Sequence, residues 1–255
     1  MRALLIPIAL LAVAGLLAGC GGGADPSAEP PAEAAAAAAP SLPQGSEPVQ
    51  LDPADFVAQI DNRYWPMAPG STWIYRETDA EGAEQLVEVT VTGQTRDILG
   101  IQATVVHDVV SEDGAVIEDT YDWYAQDRFG NIWYLGEDTK EYEDGRVVST
   151  EGSWEAGVDG AQAGIIVPAE PAQGLTYREE HYAGEAEDAA EVLSVEGKAQ
   201  VPFGTFDDAL ITRNYTPLDP NVVELKFYAR GVGPVLVVQT SGGASREELV
   251  RYTEG

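Results

Sequence analysis

Two histidines carry the first candidate chemistry in this 255-residue chain. His107 is followed by Asp108, and His181 is preceded by Glu180. Imidazole and carboxylate together are frequent ligands of Zn²⁺ and Cu²⁺. The four side chains would form a metal site if the strands that hold them pair. The alternative is that they are ordinary surface residues of a chain in which carboxylates are abundant.

Carboxylates alone offer a second kind of metal site. Glu185, Glu187 and Asp188 are close in sequence, and so are Asp119 and Asp122. Ca²⁺ prefers several carboxylate and carbonyl oxygens, but the twelve-residue spacing of an EF-hand loop is absent. A divalent cation is therefore the one cofactor that the sequence suggests.

Five aromatic side chains form the candidate ligand-binding set. On a strongly curved sheet they could line a concave face that receives a small ligand. The alternative is that they are core residues and cross-strand pairs, which aromatic side chains form in any β-domain. The set is Trp73, Trp123, Trp133, Tyr121 and Tyr228.

The usual signatures of catalysis are absent from the sequence. There is no Gly-x-Ser-x-Gly elbow, no His-Glu-x-x-His pair and no phosphate-binding loop. We predict no catalytic residues, and a hydrolase is the last of three functional hypotheses.

The N-terminus has the layout of an export signal. Residues 1–19 combine a positive start at Arg2, an apolar run and small residues before Cys20. The apolar run is shorter than the roughly 20 residues of a membrane-spanning helix. The sequence Leu-Ala-Gly-Cys at 17–20 resembles the lipobox of bacterial lipoproteins. That resemblance implies cleavage before Cys20 and attachment of a diacylglyceryl group and further acyl chains, such as palmitate, to its side chain and amine.

Residues 20–50 form the predicted linker and residues 51–255 the predicted domain. The linker is rich in Ala, Pro and Gly and lacks aromatic residues, a composition typical of disorder. We expect the lipid to bind the cell membrane, or the outer membrane of a Gram-negative host, since Gly21 does not favour inner-membrane retention.

The net charge of −29 excludes one class of partner. Nucleic acids and anionic bilayer surfaces are bound through Lys and Arg, and this chain has 14 such residues against 43 Asp and Glu. We therefore predict an extracytoplasmic acidic protein whose membrane affinity comes from its lipid.

Hydrophobic periodicity predicts strands throughout the domain. In segment 86–92 three valines alternate with Glu and Thr, and in segment 223–228 Val, Leu and Phe alternate with Glu, Lys and Tyr. Hairpin turns are predicted at Asp113-Gly114, Asp144-Gly145 and Gly242-Gly243. The fold class is mainly β: a single antiparallel meander forming a strongly curved sheet or open β-barrel, with a sandwich as the second choice.

Two segments depart from this pattern. Asp52–Ile60 predicts one short N-terminal helix, because Asp52 can cap it and Pro53 suits its first position. Segment 155–174 is rich in Gly, Ala and Pro, and we expect it to plug one end of the sheet with Ile165 and Ile166; a mobile or functional loop is the alternative.

Several motifs resemble an uncharacterised family of bacterial secreted proteins and lipoproteins. Residues 64–75 follow its YWPxxPGxxWxY-type motif, with Met67 where Leu is usual, and residues 226–233 follow its YAxGVG-type motif. Segment 127–138 is similar to a further turn of that family. The resemblance covers roughly residues 60–253 and implies no catalytic residues.

Three functional hypotheses follow. The first is a membrane-anchored, non-enzymatic lipoprotein of the cell envelope that binds a small ligand or a protein partner. The second is a cation-binding envelope protein, and the third is a hydrolase.

Overall fold

The computed structural model describes residues 41–255. The predicted signal segment, Cys20 and residues 21–40 lie outside the described residues. Residues 41–50, which the sequence assigns to the linker, contact the domain: Arg178 N donates to Pro43 O at 2.8 Å, and Val49 N donates to Gln162 Oε1 at 3.1 Å. The folded unit therefore includes these residues.

A single antiparallel sheet dominates the described residues, as the alternating pattern predicts. Its strands in chain order are β1 (Phe56–Val57), β2 (Thr72–Thr78), β3 (Glu84–Ile98), β4 (Ile101–Glu112), β5 (Ala115–Asp127), β6 (Ile132–Glu143), β7 (Arg146–Ser149), β8 (Trp154–Glu155), β9 (Gln162–Val167), β10 (Thr176–Arg178), β11 (Glu180–His181), β12 (Ala189–Val201), β13 (Gly204–Tyr215), β14 (Val223–Ala229), β15 (Gly233–Ser241) and β16 (Arg246–Thr253).

The predicted N-terminal helix is wrong. Only a 3₁₀ turn forms, at Pro53–Asp55, and Asp52 caps it by accepting a hydrogen bond from Ala54 N at 2.9 Å. Phe56 and Val57 are already extended because they pair with Asp127 and Gln126 of β5. Sheet pairing thus competes successfully with a helix whose apolar face would have been only one turn long.

The order of strands across the sheet is β10-β12-β13-β14-β15-β16-β2-β3-β4-β5-β6-β9-β11. Its first and last strands belong to one extended segment, 176–181: Thr176–Arg178 pairs with β12, and Glu180–His181 pairs with β9. The sheet therefore curls until its ends meet at Glu179, which gives a nearly closed barrel rather than a sandwich.

Close approach of two backbones at this seam requires a glycine. A Cβ atom on Gly164 of β9 would lie 2.3 Å from Glu179 O. Segment 155–174 is therefore not an excursion from the sheet, although residues 156–161 and 168–174 on either side of its central strand are turns and loops. It contains strand β9, in which Ile165 and Ile166 are buried and Ile165 pairs with Trp133.

The predicted hairpin turns agree with the structure. Asp113-Gly114 and Asp144-Gly145 have positive φ at both residues, as a two-residue turn of the I′ type requires, and residues 242–245 connect β15 to β16. A further turn of this type, Leu99-Gly100, has φ of 56° and 83° and was missed because leucine is a rare residue in that conformation.

Within residues 41–255 no helix has both the length and the apolar character needed to cross a bilayer.

We expect Gly164→Ala to lower the free energy of unfolding by about 2 kcal/mol, because the added methyl group overlaps the backbone of the seam. Urea denaturation measures this change. Gly93→Ala is the matched control: Gly93 is an exposed residue of β3 with open space around it, and its replacement should be neutral or slightly stabilising. Equal effects of the two substitutions would contradict the proposed role of Gly164.

Candidate functional site

The inner face of the curled sheet carries the candidate site. Residues directly opposite each other in an antiparallel pair point to the same face. Asp108 of β4 lies opposite Val89 and Thr120, whereas Lys226 of β14 lies opposite Thr212 and Val237. Because the sheet closes on itself, the side chains around Asp108 and those around Lys226 both point inward, toward each other.

An inner cavity of about 190 Å³ lies between these strands. Its walls are mostly apolar or aromatic, but four charged or acidic side chains also reach it. The lining residues are Trp65, Tyr75, Val87, Val89, Val106, Asp108, Asp122, Tyr124, Ile166, Lys226, Tyr228, Pro234, Val237 and Glu247.

Lys226 is the cation of this cavity. Burial lowers the pKa of its amine, but the negative charges of Glu179, Glu224 and Asp188 outweigh this effect and raise the pKa above its ordinary value. The other two lysines of the chain form ion pairs at 2.9 and 3.0 Å. Lys226 has no carboxylate within 4.0 Å in the described part of the chain, so its ammonium group faces the cavity unpaired.

Asp108 and Glu247 line the same cavity, and the pKa of each carboxyl group is raised. Burial raises the pKa of Asp108 well above its ordinary value, and the charge of Asp122 raises it further. Its Oδ1 atom is buried without a hydrogen-bond partner among residues 41–255. Burial, together with the charge of Glu77, raises the pKa of Glu247 to about 8. Glu247 is therefore a hydrogen-bond donor at neutral pH, and the proton of Asp108 is held more tightly than that of an ordinary aspartic acid.

Tyr134 links two further acids on the inner face. Its hydroxyl lies 2.7 Å from Asp122 Oδ1 and 2.9 Å from Glu137 Oε2. One hydroxyl proton cannot serve two carboxylates, so one acid must supply a proton of its own. Burial raises the pKa of Glu137 to about 8 and that of Asp122 to about 6. Protonated Glu137 therefore donates to Tyr134, which donates to ionised Asp122.

The structure does not bring the predicted metal ligands together. His107 lies on the outer face of β4, stacked on Tyr121 at 4.3 Å, with Nε2 2.9 Å from Asp119 Oδ1. Asp108 is adjacent in sequence and points to the opposite face.

The second half of the predicted metal site lies elsewhere in the sheet. Strands β5, β6 and β9 separate β4 from β11, which holds Glu180 and His181. Glu180 instead accepts a hydrogen bond from Trp154 Nε1 at 2.7 Å. Among residues 41–255, no three His, Cys, Asp or Glu side chains are grouped as metal ligands.

The predicted aromatic set divides between the two faces. Tyr228 lines the inner cavity, and Trp73 lies on the same face opposite Val89, with Nε1 donating to Val232 O at 2.7 Å. Tyr121 and Trp123 point outward, where Arg96 lies 4.0 Å from the Trp123 ring.

Trp133 also points away from the inner cavity. It pairs with Ala125 and Ile165, and its Nε1 donates to Asp127 Oδ2 at 2.9 Å. The five aromatic residues therefore do not surround one site.

Sequence reasoning missed Lys226, Glu137 and Glu247, and it placed Asp122 in a candidate Ca²⁺ site with Asp119 instead of on the inner face. Their strands alternate as predicted, but the polar members of the alternation face the cavity instead of solvent. The alternation of an acid or lysine with tyrosine on one face, as at Glu224-x-Lys226-x-Tyr228 and Asp122-x-Tyr124, is a signal that could have identified them.

Other hollows open on the outer surface. One of about 280 Å³ lies between segment 41–52 and the turn at Phe129, and one of about 390 Å³ lies beside Arg178 and His181. The inner cavity differs from these because an unpaired ammonium and an unpartnered carboxyl group face largely apolar walls.

We expect stability to fall as pH rises from about 5 to about 8. Glu137 and Glu247 bind protons more tightly in the folded than in the unfolded chain, so their contribution is complete at low pH and is lost through their folded pKa of about 8. Each carboxyl should account for on the order of 2 kcal/mol, a value reduced by water in the cavity.

Urea denaturation at pH 5 and pH 9 measures this loss. Glu137→Gln combined with Glu247→Gln should reduce the pH dependence, whereas the exposed control Glu84→Gln should leave it unchanged. An unaltered pH profile in the double variant would refute the assignment.

Two solved structures resemble this chain, and both resemblances are distant. No family model matches the chain, and no curated protein is significantly similar in sequence. A crystal structure of a predicted lipoprotein from Parabacteroides distasonis matches with a TM-score of 0.44 and 13% identity, covering 75% of this chain and 99% of its own. A predicted exported protein with a YmcC-like fold from Bacteroides fragilis matches with a TM-score of 0.44 and 15% identity, covering 76% of this chain and 100% of its own.

Proposed function

We propose that this protein is a lipid-anchored extracytoplasmic binding protein whose inner cavity holds one small amphipathic molecule. The observation that carries the proposal is the combination of apolar walls and an unpartnered Asp108 carboxyl group in a cavity of about 190 Å³. A buried polar group without a partner costs free energy, and a ligand that supplies the missing hydrogen bond removes that cost.

The size of the cavity limits the ligand. An apolar cavity of roughly 150 Å³ accommodates a molecule the size of benzene, so the present cavity fits a single small ring or a short branched chain. Tyr75, Tyr124 and Trp65 supply flat surfaces for such a ring. A long acyl chain would require the sheet to open.

The polar groups of the cavity favour a ligand that accepts hydrogen bonds. Glu247 is a neutral donor at pH 7, burial raises the pKa of Asp108 in the same direction, and Tyr75 already donates its hydroxyl proton to Pro234 O at 3.0 Å. A hydroxyl, carbonyl or ring nitrogen on the ligand would therefore complement them. Glu137 and Glu247 on the inner face hold their protons at pH 7, and neither supplies the free nucleophile that a hydrolytic mechanism requires.

Membrane attachment is the second part of the proposal. The lipobox-like residues 17–20 support it, and the net charge of −29 makes adhesion of the protein surface itself to an anionic bilayer unfavourable. The lipid on Cys20 would then supply the membrane affinity, since two or more acyl chains anchor stably where one does not.

Small ring compounds test the cavity. Phenol and indole should raise the thermal unfolding midpoint of the protein, and native mass spectrometry of freshly purified protein should detect any retained molecule. Val237→Phe fills the cavity and should abolish the thermal shift while leaving the protein folded. Val148→Phe, at an exposed residue of β7, is the control and should retain it. A protein that retains no molecule and responds to neither compound does not have this function.

Cys20→Ser tests the anchor. The exported variant should appear in the soluble fraction as a folded domain, because the linker and the acidic domain provide no other attachment. The matched change Ser27→Ala in the predicted linker should leave the protein in the membrane fraction. Continued membrane association of Cys20→Ser would contradict the proposal.

A further inference from the structure

A connected group of polar side chains is buried beside the seam of the sheet. Asn214 Nδ2 donates to both carboxylate oxygens of Glu179 at 2.7 Å, and Thr212 Oγ1 donates to Asn214 Oδ1 at 2.7 Å. Glu179, Asn214 and Thr212 are 2%, 4% and 0% exposed. These hydrogen bonds hold one carboxamide in a fixed orientation inside the protein.

Lys226 lies next to this group on the same face. It is directly opposite Thr212, while Asn214 is opposite Glu224, so Lys226 and Asn214 are diagonal neighbours on adjacent antiparallel strands. Diagonal neighbours are within reach of a long side chain. The charge of Glu179 is also the strongest electrostatic influence on the Lys226 amine.

We propose that Lys226 and Asn214 form an intramolecular isopeptide bond. The Lys226 amine nitrogen attacks Asn214 Cγ, a bond forms between these two atoms, and the Cγ–Nδ2 bond breaks. The Lys226 nitrogen starts as an ammonium and gives up two protons in succession to Glu179, which returns both to the departing nitrogen, so that it leaves as an ammonium ion. Ammonium group and carboxamide are thus converted to a secondary amide and an ammonium ion, and no oxidant or reductant is needed.

Each neighbour has a role in this reaction. Thr212 donates to the carbonyl oxygen, on which negative charge develops during attack. Glu179 contacts the leaving nitrogen, and burial raises the pKa of its carboxyl group to about 7, which suits proton transfer in both directions.

The protonation of Lys226 opposes the reaction, because the surrounding acids raise the pKa of its amine. The attacking amine therefore forms only when the Lys226 side chain turns toward Glu179, whose carboxylate is more than 4.0 Å away in this structure, and passes a proton to it. Tyr177 and Tyr228, each 1% exposed, exclude water from this step.

The bond would serve a chain that cannot form a disulfide within itself. Cys20 is its single cysteine, and the proposed bond joins β13 to β14 close to the point where the sheet closes. A covalent link there would fix the register of β13 on β14, which hold the polar side chains beside the seam. The inference is independent of the ligand proposed for the inner cavity.

Tryptic peptide mapping of the purified protein tests the bond directly. Unmodified protein is cleaved after Arg213, Lys226 and Arg230 and releases peptide 214–226. The linked protein should resist cleavage at Lys226 and release peptide 214–230 with a mass about 17 Da lower, the mass of ammonia, and with fragmentation blocked between Asn214 and Lys226.

Three results would overturn the proposal. One is peptide 214–226 at its full mass. Another is the loss of ammonia with normal cleavage at Lys226, which would indicate cyclisation of Asn214 alone. The third is a mass loss of about 18 Da, that of water, which would indicate that Lys226 is joined to a carboxyl group instead.

Variants identify the participating groups. Lys226→Arg keeps the charge, and Glu179→Gln keeps the hydrogen-bonding shape, but both should abolish the mass loss. Lys198→Arg, at an exposed lysine paired with Asp207, should retain it. If Glu179→Gln folds, as judged by near-UV circular dichroism, and still loses ammonia to the full extent, the role assigned to Glu179 is wrong. If Lys226→Arg folds and still loses ammonia, the bond itself is excluded.

Discussion

The extended segment 176–181 is the connection on which the rest of the structure depends, because its two halves pair with opposite ends of the same sheet. Arg178 reinforces the connection. Its guanidinium donates to Gly45 O and Glu47 O on one side and to Ala163 O on the other, at 2.7 to 2.8 Å. Burying a cation costs free energy unless its hydrogen bonds are satisfied. The Arg178 guanidinium obtains these hydrogen bonds only when the sheet is closed, so it favours the closed geometry. Without it, the inner face would be an open, solvated surface.

Closure changes the chemistry of the side chains that it encloses. The same carboxyl groups on an open sheet would be ionised at neutral pH, since water would solvate their charge. Inside the curled sheet, burial and mutual repulsion favour the neutral forms of Glu137, Glu247 and Asp108. Before any reaction with Asn214, Lys226 keeps its charge because the charges of Glu179, Glu224 and Asp188 raise the pKa of its amine. The inner face therefore holds a small group of titratable side chains that influence one another's pKa and are surrounded by aromatic residues.

The two faces of the sheet divide the polar residues by role. On the outer face, acids pair with exposed cations or face water, as in the Arg96–Glu155 and Lys198–Asp207 pairs, and such pairs contribute little to stability. On the inner face, polar groups bond to one another through Tyr134 and Asn214. These inner hydrogen bonds are the ones relevant to the two proposals, because each fixes the position and protonation of a side chain that faces the cavity or a reacting neighbour.

The sequence by itself determined the antiparallel strands, most of their turns and the curved-sheet class, because alternation and Asp-Gly pairs act over a few residues. It also identified Cys20 as the candidate lipid site, and its net charge predicts that nucleic acid is not a partner. It misplaced the helix at 52–60, since pairing of Phe56 with β5 is a contact between distant residues.

Only the tertiary structure decided which face of each strand lies inside. Alternation gives each strand two faces without indicating which face is enclosed, so the sequence did not distinguish Lys226 and Glu247 from surface charges. It also did not show that three strands lie between the strand of His107 and the strand of His181. The physical reason is that enclosure depends on the meeting of the ends of the sheet at Glu179, and no local pattern in the chain encodes that meeting.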